Sequence, residues 1–63
     1  METLLKAFDH CTIRNYRGGK EIRTKNLDNA IEKARSIIKK NNLQVEIFEQ
    51  DSRVNSFSIR EIK

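Results

Sequence analysis

The chain has 63 residues, 37% of them hydrophobic and 35% charged, with 13 Lys and Arg against 9 Asp and Glu and a formal net charge of +4. This length allows a single domain, residues 1–63, and the ordered pattern of apolar residues excludes an intrinsically disordered chain. A core of this size rarely supplies more than roughly 3–5 kcal/mol of stability, so a homodimer that enlarges the core is one expectation.

The cysteine content and the lack of long apolar runs indicate in which compartment the protein is expected. Cys11 is the only cysteine, which excludes an intramolecular disulfide and a cysteine-based metal cluster and is typical of a reducing compartment. No apolar run approaches the roughly 18 residues of a membrane helix, and residues 1–8 lack the pattern of a signal peptide. We therefore expect a cytoplasmic protein without a membrane partner.

Residues 2–9 fit two structures. Leu4, Leu5 and Phe8 have the spacing of a short helical turn, whereas every second residue from Leu5 to Cys11 would share one face of a strand. We favour the strand, which would extend the first strand backward.

A β-hairpin is predicted next, because residues 11–16 and 21–25 flank Arg17-Gly18-Gly19-Lys20 and a Gly-Gly pair favours a tight turn. With Arg17 opposite Lys20, Ile13 faces Thr24. Two sets of side chains then point to opposite faces of the hairpin, namely Cys11, Ile13 and Ile22 on one face and Arg14, Tyr16, Arg23 and Lys25 on the other.

An amphipathic helix follows at about 27–41. Asn26 is a suitable N-cap, Asp28 lies in the first turn, and Lys39 and Lys40 suit the negative end of the helix dipole. Apolar residues recur with helical spacing at Leu27, Ala30, Ile31, Ala34, Ile37 and Ile38.

Two more strands are predicted from the alternation of apolar residues around Val45 and Ile47 and around Phe57 and Ile59. A two-residue turn would mismatch the faces of these strands, whereas a three-residue turn through Arg53 pairs Ile47 with Phe57. We expect this odd loop length, and a five-residue loop is also permitted.

The predicted fold is an α+β domain, ββαββ, in which one helix packs on one face of a four-stranded antiparallel sheet. Its core list contains Cys11, Ile13, Ile22, Leu27, Ala30, Ile31, Ala34, Ile37, Ile38, Val45, Ile47, Phe57 and Ile59. The segments Ala30-Ile-Glu-Lys-Ala-Arg-Ser-Ile-Ile38 and Leu43-Gln-Val-Glu-Ile47 resemble small ββαββ accessory proteins of bacteria and phage, some of which inhibit host toxins or defence nucleases. This topological resemblance implies a non-enzymatic accessory role and assigns no residue a function.

The sheet face without a helix is the first candidate site. Aromatic side chains among cations can stack on unpaired bases while guanidinium groups neutralise phosphate. The nucleic-acid-binding hypothesis covers the first hairpin and this face, with Arg14, Tyr16, Arg17, Lys20, Arg23, Lys25 and Phe48. The alternative is that Tyr16 and Phe48 pack on neighbouring side chains and that the charges only keep the protein soluble.

Catalytic and metal chemistry have little support in the sequence. His10 and Cys11 are neighbours, and on a strand they would point to opposite faces, so a Cys–His pair is not expected. The glycine pair lacks the GK[ST] ending of a phosphate-binding loop and is explained by a hairpin turn. We expect a non-enzymatic protein with no catalytic residues, no metal site and no cofactor.

A protein partner is the runner-up hypothesis. A four-stranded sheet leaves two edge strands that can accept a strand from another chain. The chain would then act as a phage-type inhibitor or adaptor that binds a host protein, for example a toxin or defence nuclease, by an edge strand or by the polar face of the helix.

Overall fold

The computed structural model describes residues 1–62, which form two helices and a four-stranded antiparallel sheet in the order β1-β2-β4-β3. The elements are α1 Glu2–Ala7, β1 Thr12–Tyr16, β2 Gly19–Arg23, α2 Leu27–Lys40, β3 Val45–Asp51 and β4 Ser56–Glu61. The predicted α+β class, with α2 packed on one face of the sheet, is confirmed. The strand order makes β1 and β3 the edges of the sheet and places β4 beside β2.

Helix α2 begins and ends almost where its sequence predicts. The Asn26 side chain accepts a hydrogen bond from the Asn29 N–H at 3.2 Å, and this cap satisfies one of the free donors of the first turn. The helix ends at Lys40, one residue before the predicted end. Its apolar face buries Ala30, Ile31 and Ala34 against the sheet.

The prediction of a strand in residues 2–9 is wrong, because this segment contains helix α1. A helix places Leu4 and Phe8 on the same face, since they are four residues apart, and both are buried, with 0% and 2% of their surface exposed. The Phe8 ring packs edge-on against Phe57 with a centroid distance of 5.5 Å. Lys33 of α2 donates a hydrogen bond to the Ala7 carbonyl at 3.1 Å, so α1 lies beside α2 on the same side of the sheet.

The turn of the first hairpin lies one residue earlier than predicted. Arg17 and Gly18 both have positive φ, 46° and 80°, as a type I′ turn requires, and Ile13 pairs with Ile22 instead of Thr24. Gly19 belongs to β2, where a Cβ atom would overlap the carbonyl oxygen of Ile59. The pairing differs from the predicted one by two residues, so every side chain keeps its predicted face.

The second hairpin corrects the predicted loop length. Asp51 pairs with Ser56, so the loop contains four residues, 52–55, and not an odd number. A bulge between Ile47 and Glu49 compensates for the even loop length, because its one extra residue reverses the alternation of the side chains along β3. Val45 and Ile47 therefore face the helices before the bulge, as predicted, but Ile47 pairs with Ile59 and not with Phe57.

The core lies between the sheet and the two helices. Seven of its buried residues are on the predicted list, namely Ile22, Ala30, Ile31, Ala34, Val45, Phe57 and Ile59. Six others, Cys11, Ile13, Leu27, Ile37, Ile38 and Ile47, are half-buried against it, and Leu4 and Phe8 are additions. Within residues 1–62, neither helix has the length and apolar character needed to cross a bilayer.

Candidate functional site

The sheet face opposite the helices, here called the open face, is a regular grid of side chains. Pairing between the strands aligns their side chains in three rows, and each row crosses the strands in the order β1, β2, β4, β3. The first two rows are Thr12, Arg23, Ser56, Asp51 and Arg14, Glu21, Ser58, Glu49; the third contains Tyr16 and Gly19 on one side and Arg60 and Glu46 on the other. The prediction that Arg14, Tyr16 and Arg23 share this face agrees with the grid.

The centre of the open face is covered by its own side chains, although neither helix reaches it. Ser56 and Ser58 on β4 are each only 2% exposed, and Glu21 on β2 is 9% exposed. Small residues at the middle of the sheet leave room for long side chains from both edges to fold over them. The face is therefore a packed polar and aromatic layer and not a bare sheet.

Tyr16 is the largest part of this layer. Its ring stacks on that of Phe48, with a centroid distance of 6.3 Å and an interplanar angle of 17°, and its hydroxyl donates to Glu49 Oε1 at 2.9 Å. The side chain crosses from one edge strand toward the other because Gly19, its partner on β2, has no side chain and Ser58 is short. The bulge in β3 brings Phe48 into this contact, which the sequence alone did not show.

Arginine side chains border both rings. The guanidinium carbons of Arg14 and Arg17 lie 6.0 and 5.5 Å from the centre of the Tyr16 ring, and that of Arg60 lies 4.9 Å from the centre of the Phe48 ring. Such cation–π contacts are individually weak at exposed sites. A base that stacked on Tyr16 would have to displace the flexible side chain of Arg17.

Ion pairs neutralise two of these arginines. Arg14 Nε donates to Glu21 Oε1 at 2.6 Å, and this hydrogen bond raises the pKa of Arg14 above its usual value. Arg60 Nε lies 3.4 Å from Glu46 Oε2. To contact a phosphate, Arg14 would have to exchange Glu21 for it.

The two halves of the open face differ in charge. The acidic side chains Glu46, Glu49 and Asp51 all belong to β3. The hairpin of β1 and β2 with residues 24–25, here called the basic hairpin, carries Arg14, Arg17 and Arg23 on this face, Lys25 just beyond the end of β2, and one acid, Glu21. A polyanion would therefore be attracted to the basic hairpin and repelled by β3.

The predicted site residues do not all lie together in the structure. Arg17, Arg23 and Lys25 are exposed and form no ion pair with another residue in 1–62. Lys20 points to the helix side, since it pairs with Ile59, and its ammonium donates to the Asn15 side chain. Phe48 lies on the acidic strand.

A cleft of about 630 Å³ opens where β2 ends. Arg23, Lys25 and Thr12 line it on one side, and Val54 and Asn55 of the β3–β4 loop on another. No sequence pattern predicts this cleft, because it depends on the contact between the two hairpins. The available signal was Val54, an apolar residue in an otherwise polar loop.

His10 and Cys11 also line this cleft, which corrects the inference that they point to opposite faces. They lie in the bend between α1 and β1 and not on a strand, so strand alternation does not apply to them. Among residues 1–62, no hydrogen bond joins the two, and no group of three or more His, Cys, Asp or Glu residues is placed to hold a metal ion.

Titration of Tyr16, the only tyrosine in a chain without tryptophan, is expected to report the contact with Glu49. The hydrogen bond to Glu49 is the main cause that raises the pKa of Tyr16 above its usual value, and burial adds to it. Because the folded-state pKa is the higher one, this contribution to stability is complete below about pH 10 and is lost as pH rises through the folded-state pKa.

The measurement is the phenolate absorbance in the near ultraviolet as a function of pH. Glu49→Ala should lower the pKa of Tyr16 toward the value of the unfolded chain. Glu46→Ala removes the same charge from the same strand but leaves the hydrogen bond, so it should change this pKa much less. Equal shifts in the two variants would contradict the assigned contact.

Comparison with known proteins adds no relative. No protein-family model, curated protein or solved structure matches the chain.

Proposed function

We propose that this protein is a small non-catalytic module that binds nucleic acid through the basic hairpin. The observation that carries the proposal is the separation of charge on the open face. Arg17, Arg23 and Lys25 have no ion-pair partner within residues 1–62. The acids of β3 lie at the opposite edge of the sheet. Unpaired, exposed cations can contact phosphate without first breaking an ion pair.

The spacing of these cations suits a nucleic-acid backbone. Arg17 lies in the turn and Arg23 at the other end of β2. The strand between them spans roughly 15 Å at about 3.3 Å per residue. One strand of B-DNA rises about 3.4 Å per nucleotide along the helix axis, so this length corresponds to about four nucleotides of a stacked, helical strand. Three or four phosphates would therefore lie along the basic hairpin.

The remaining predicted contacts take smaller parts in this proposal. Arg14 binds phosphate only in competition with Glu21, and Tyr16 stacks on a base only after Arg17 has moved aside. Lys20 lies on the other face and Phe48 lies between acids, so these two contribute least. Phosphate contacts dominate, and little sequence preference is expected.

The test is binding of a labelled single-stranded oligonucleotide, followed by fluorescence anisotropy at several salt concentrations. Arg17→Glu with Arg23→Glu should weaken binding at least about tenfold, since each removes an attraction and adds a repulsion. For three or four contacts the log–log salt slope should be roughly −2 to −3, and it should become shallower in the variant.

A charge-matched control separates local contacts from net charge. Lys6→Glu with Arg35→Glu makes the same change of charge on exposed positions of α1 and α2, on the helix side of the sheet. This control should retain most of the affinity at moderate salt. Equal losses in both variants, or salt-independent binding, would overturn the proposal.

A third variant separates binding from stability. Arg17 has φ 46°, which costs an ordinary side chain about 1–2 kcal/mol, whereas Asn adopts this region readily and Asn-Gly is the preferred type I′ turn. Arg17→Asn should therefore raise the free energy of unfolding by roughly 0.5–1 kcal/mol and still weaken binding. Loss of affinity in a more stable protein excludes unfolding as its cause.

A protein partner is the second candidate, and the free edge of β1 favours it. β1 pairs only with β2 among the described strands, and its five residues contain no bulge, unlike β3 at the opposite edge. An extended segment of a partner can add to such an edge. A pull-down with and without nuclease separates the candidates, because a protein captured by the Arg17→Glu, Arg23→Glu variant after nuclease treatment would favour the inhibitor or adaptor role.

A further inference from the structure

We propose that the cleft beyond the end of β2 is a binding site for a phosphomonoester, either the terminal phosphate of a nucleic-acid strand or that of a free mononucleotide. The inference rests on the proposed function, since Arg23 serves both the path along the basic hairpin and the cleft. The site goes beyond that function because a phosphomonoester carries a second negative charge, which an internal phosphodiester lacks.

The charge of the cleft fits this group. Arg23 and Lys25 line it, and no Asp or Glu is among its lining residues within 1–62. Of the acids nearest along the chain, Glu21 pairs with Arg14 and Asp51 with Arg53, whereas Asp9 lies at the border of the cleft, 3.9 Å from Nδ1 of His10. A phosphomonoester carries about −1.5 to −2 charges near neutral pH, which two cations match better than they match the single charge of a phosphodiester.

Two more side chains in the cleft can complete the set of hydrogen bonds. Thr12 and His10 line the same space, and neither side chain donates a hydrogen bond to another residue in 1–62. A terminal phosphate offers three strong acceptor oxygens. Together with Arg23 and Lys25, these two side chains therefore supply enough donors for all three oxygens.

The loop wall suits the nucleoside attached to the phosphate. Val54 is 42% exposed, and it lies beside Asn55, whose φ is 50°. The loop is held in place, because the Asn55 carbonyl accepts from the Thr24 N–H at 2.8 Å and the Asp51 carboxylate accepts from the Arg53 N–H at 3.0 Å. An apolar surface next to the Asn55 side-chain amide can contact a sugar or base.

The size of the cleft also exceeds the needs of a bare anion. Its volume of about 630 Å³ lies within the range of about 300–1,000 Å³ that is typical of small-molecule sites. The cleft lies at the end of the cationic path from Arg17, so a strand whose terminal phosphate is held there can continue along the basic hairpin. A mononucleotide and a strand terminus share the phosphate, and the experiment distinguishes them.

The experiment compares oligonucleotides of one sequence with a 5′-phosphate, a 3′-phosphate or no terminal phosphate, together with a nucleoside monophosphate as a direct ligand. One phosphorylated end should bind about fivefold or more tightly than the unphosphorylated strand, as expected for one more charge-assisted contact. Lys25→Gln should reduce this preference to less than about twofold. Lys39→Gln, the same substitution near the end of α2, should leave the preference unchanged.

The outcomes separate the two proposals. Equal binding of all three strands, with no binding of the mononucleotide, would overturn the phosphomonoester site and leave the proposed function standing. Binding of the mononucleotide alone, reduced by Lys25→Gln, would support the site and contradict the nucleic-acid function. Absence of all binding would overturn both. A preference that persists in Lys25→Gln would place the site elsewhere.

Discussion

Gly19→Ala is expected to remove most of the protein's stability. The added Cβ would overlap the Ile59 carbonyl oxygen and lie 3.0 Å from the Cβ of Arg60. These atoms belong to the backbone of β4 or are fixed to it, so relief requires β2 and β4 to move apart at the centre of the sheet. Overpacking of this kind costs about 3 kcal/mol or more, against a total stability of roughly 3–5 kcal/mol for a core of this size.

Gly18→Ala is the matched control for this prediction. A Cβ at Gly18 meets nothing within 4 Å, so its cost comes only from φ of 80° and amounts to about 1–2 kcal/mol. Urea denaturation followed by far-ultraviolet circular dichroism measures both variants. Without the contact to β4, alanine in a strand would stabilise relative to glycine by roughly 0.5–1 kcal/mol, so a neutral or stabilised Gly19→Ala variant would contradict the structure.

Leu4→Ala is expected to have the second-largest effect, a loss of about 2–5 kcal/mol in the free energy of unfolding. Leu4 is fully buried between α1 and the core, and the substitution leaves a cavity there. Its neighbour Leu5 is only half-buried, so Leu5→Ala should cost about 1 kcal/mol. Because both substitutions are Leu→Ala, a difference between the two variants reports the different packing of the two side chains of α1.

Chemical denaturation of the two variants checks this order. If Leu4→Ala does not fold, Leu4→Met provides the measurement, because it keeps the volume and should cost less than about 1.5 kcal/mol. A strand in residues 2–9, with Leu5 directed inward, would reverse the order of Leu4 and Leu5. A larger loss in Leu5→Ala than in Leu4→Ala would therefore contradict α1.

The faces of the strands could be predicted from sequence even where their pairing could not. Ile13 and Ile22 face the helices in both the predicted and the observed register, because a shift of two residues preserves alternation. The turn was predicted one residue too late, because glycine is required at Gly19 by the close approach of β4 and not by the turn. β4 begins at Ser56, 37 residues later in the chain, so local turn preferences do not reveal this requirement.

The candidate site was predictable as a set of exposed cations but not as an arrangement. Arg14 and Arg23 share the open face as their positions indicated. The pairing of Arg14 with Glu21 depends on the register of the first hairpin. The burial of Ser58 under long side chains depends on the strand order, because β4 lies beside β2 in the middle of the sheet.

By itself the sequence determined helix α2, the four strands and the face on which the apolar side chains of these five elements lie, because these follow from periodicities of 3.6 and 2 residues and from local caps. The tertiary structure decided α1, the bulge at Phe48 and the cleft beside Val54. A segment of six residues is too short to be helical alone, and a bulge or a cleft exists only between strands that have already paired. Packing energy between distant segments selects these features.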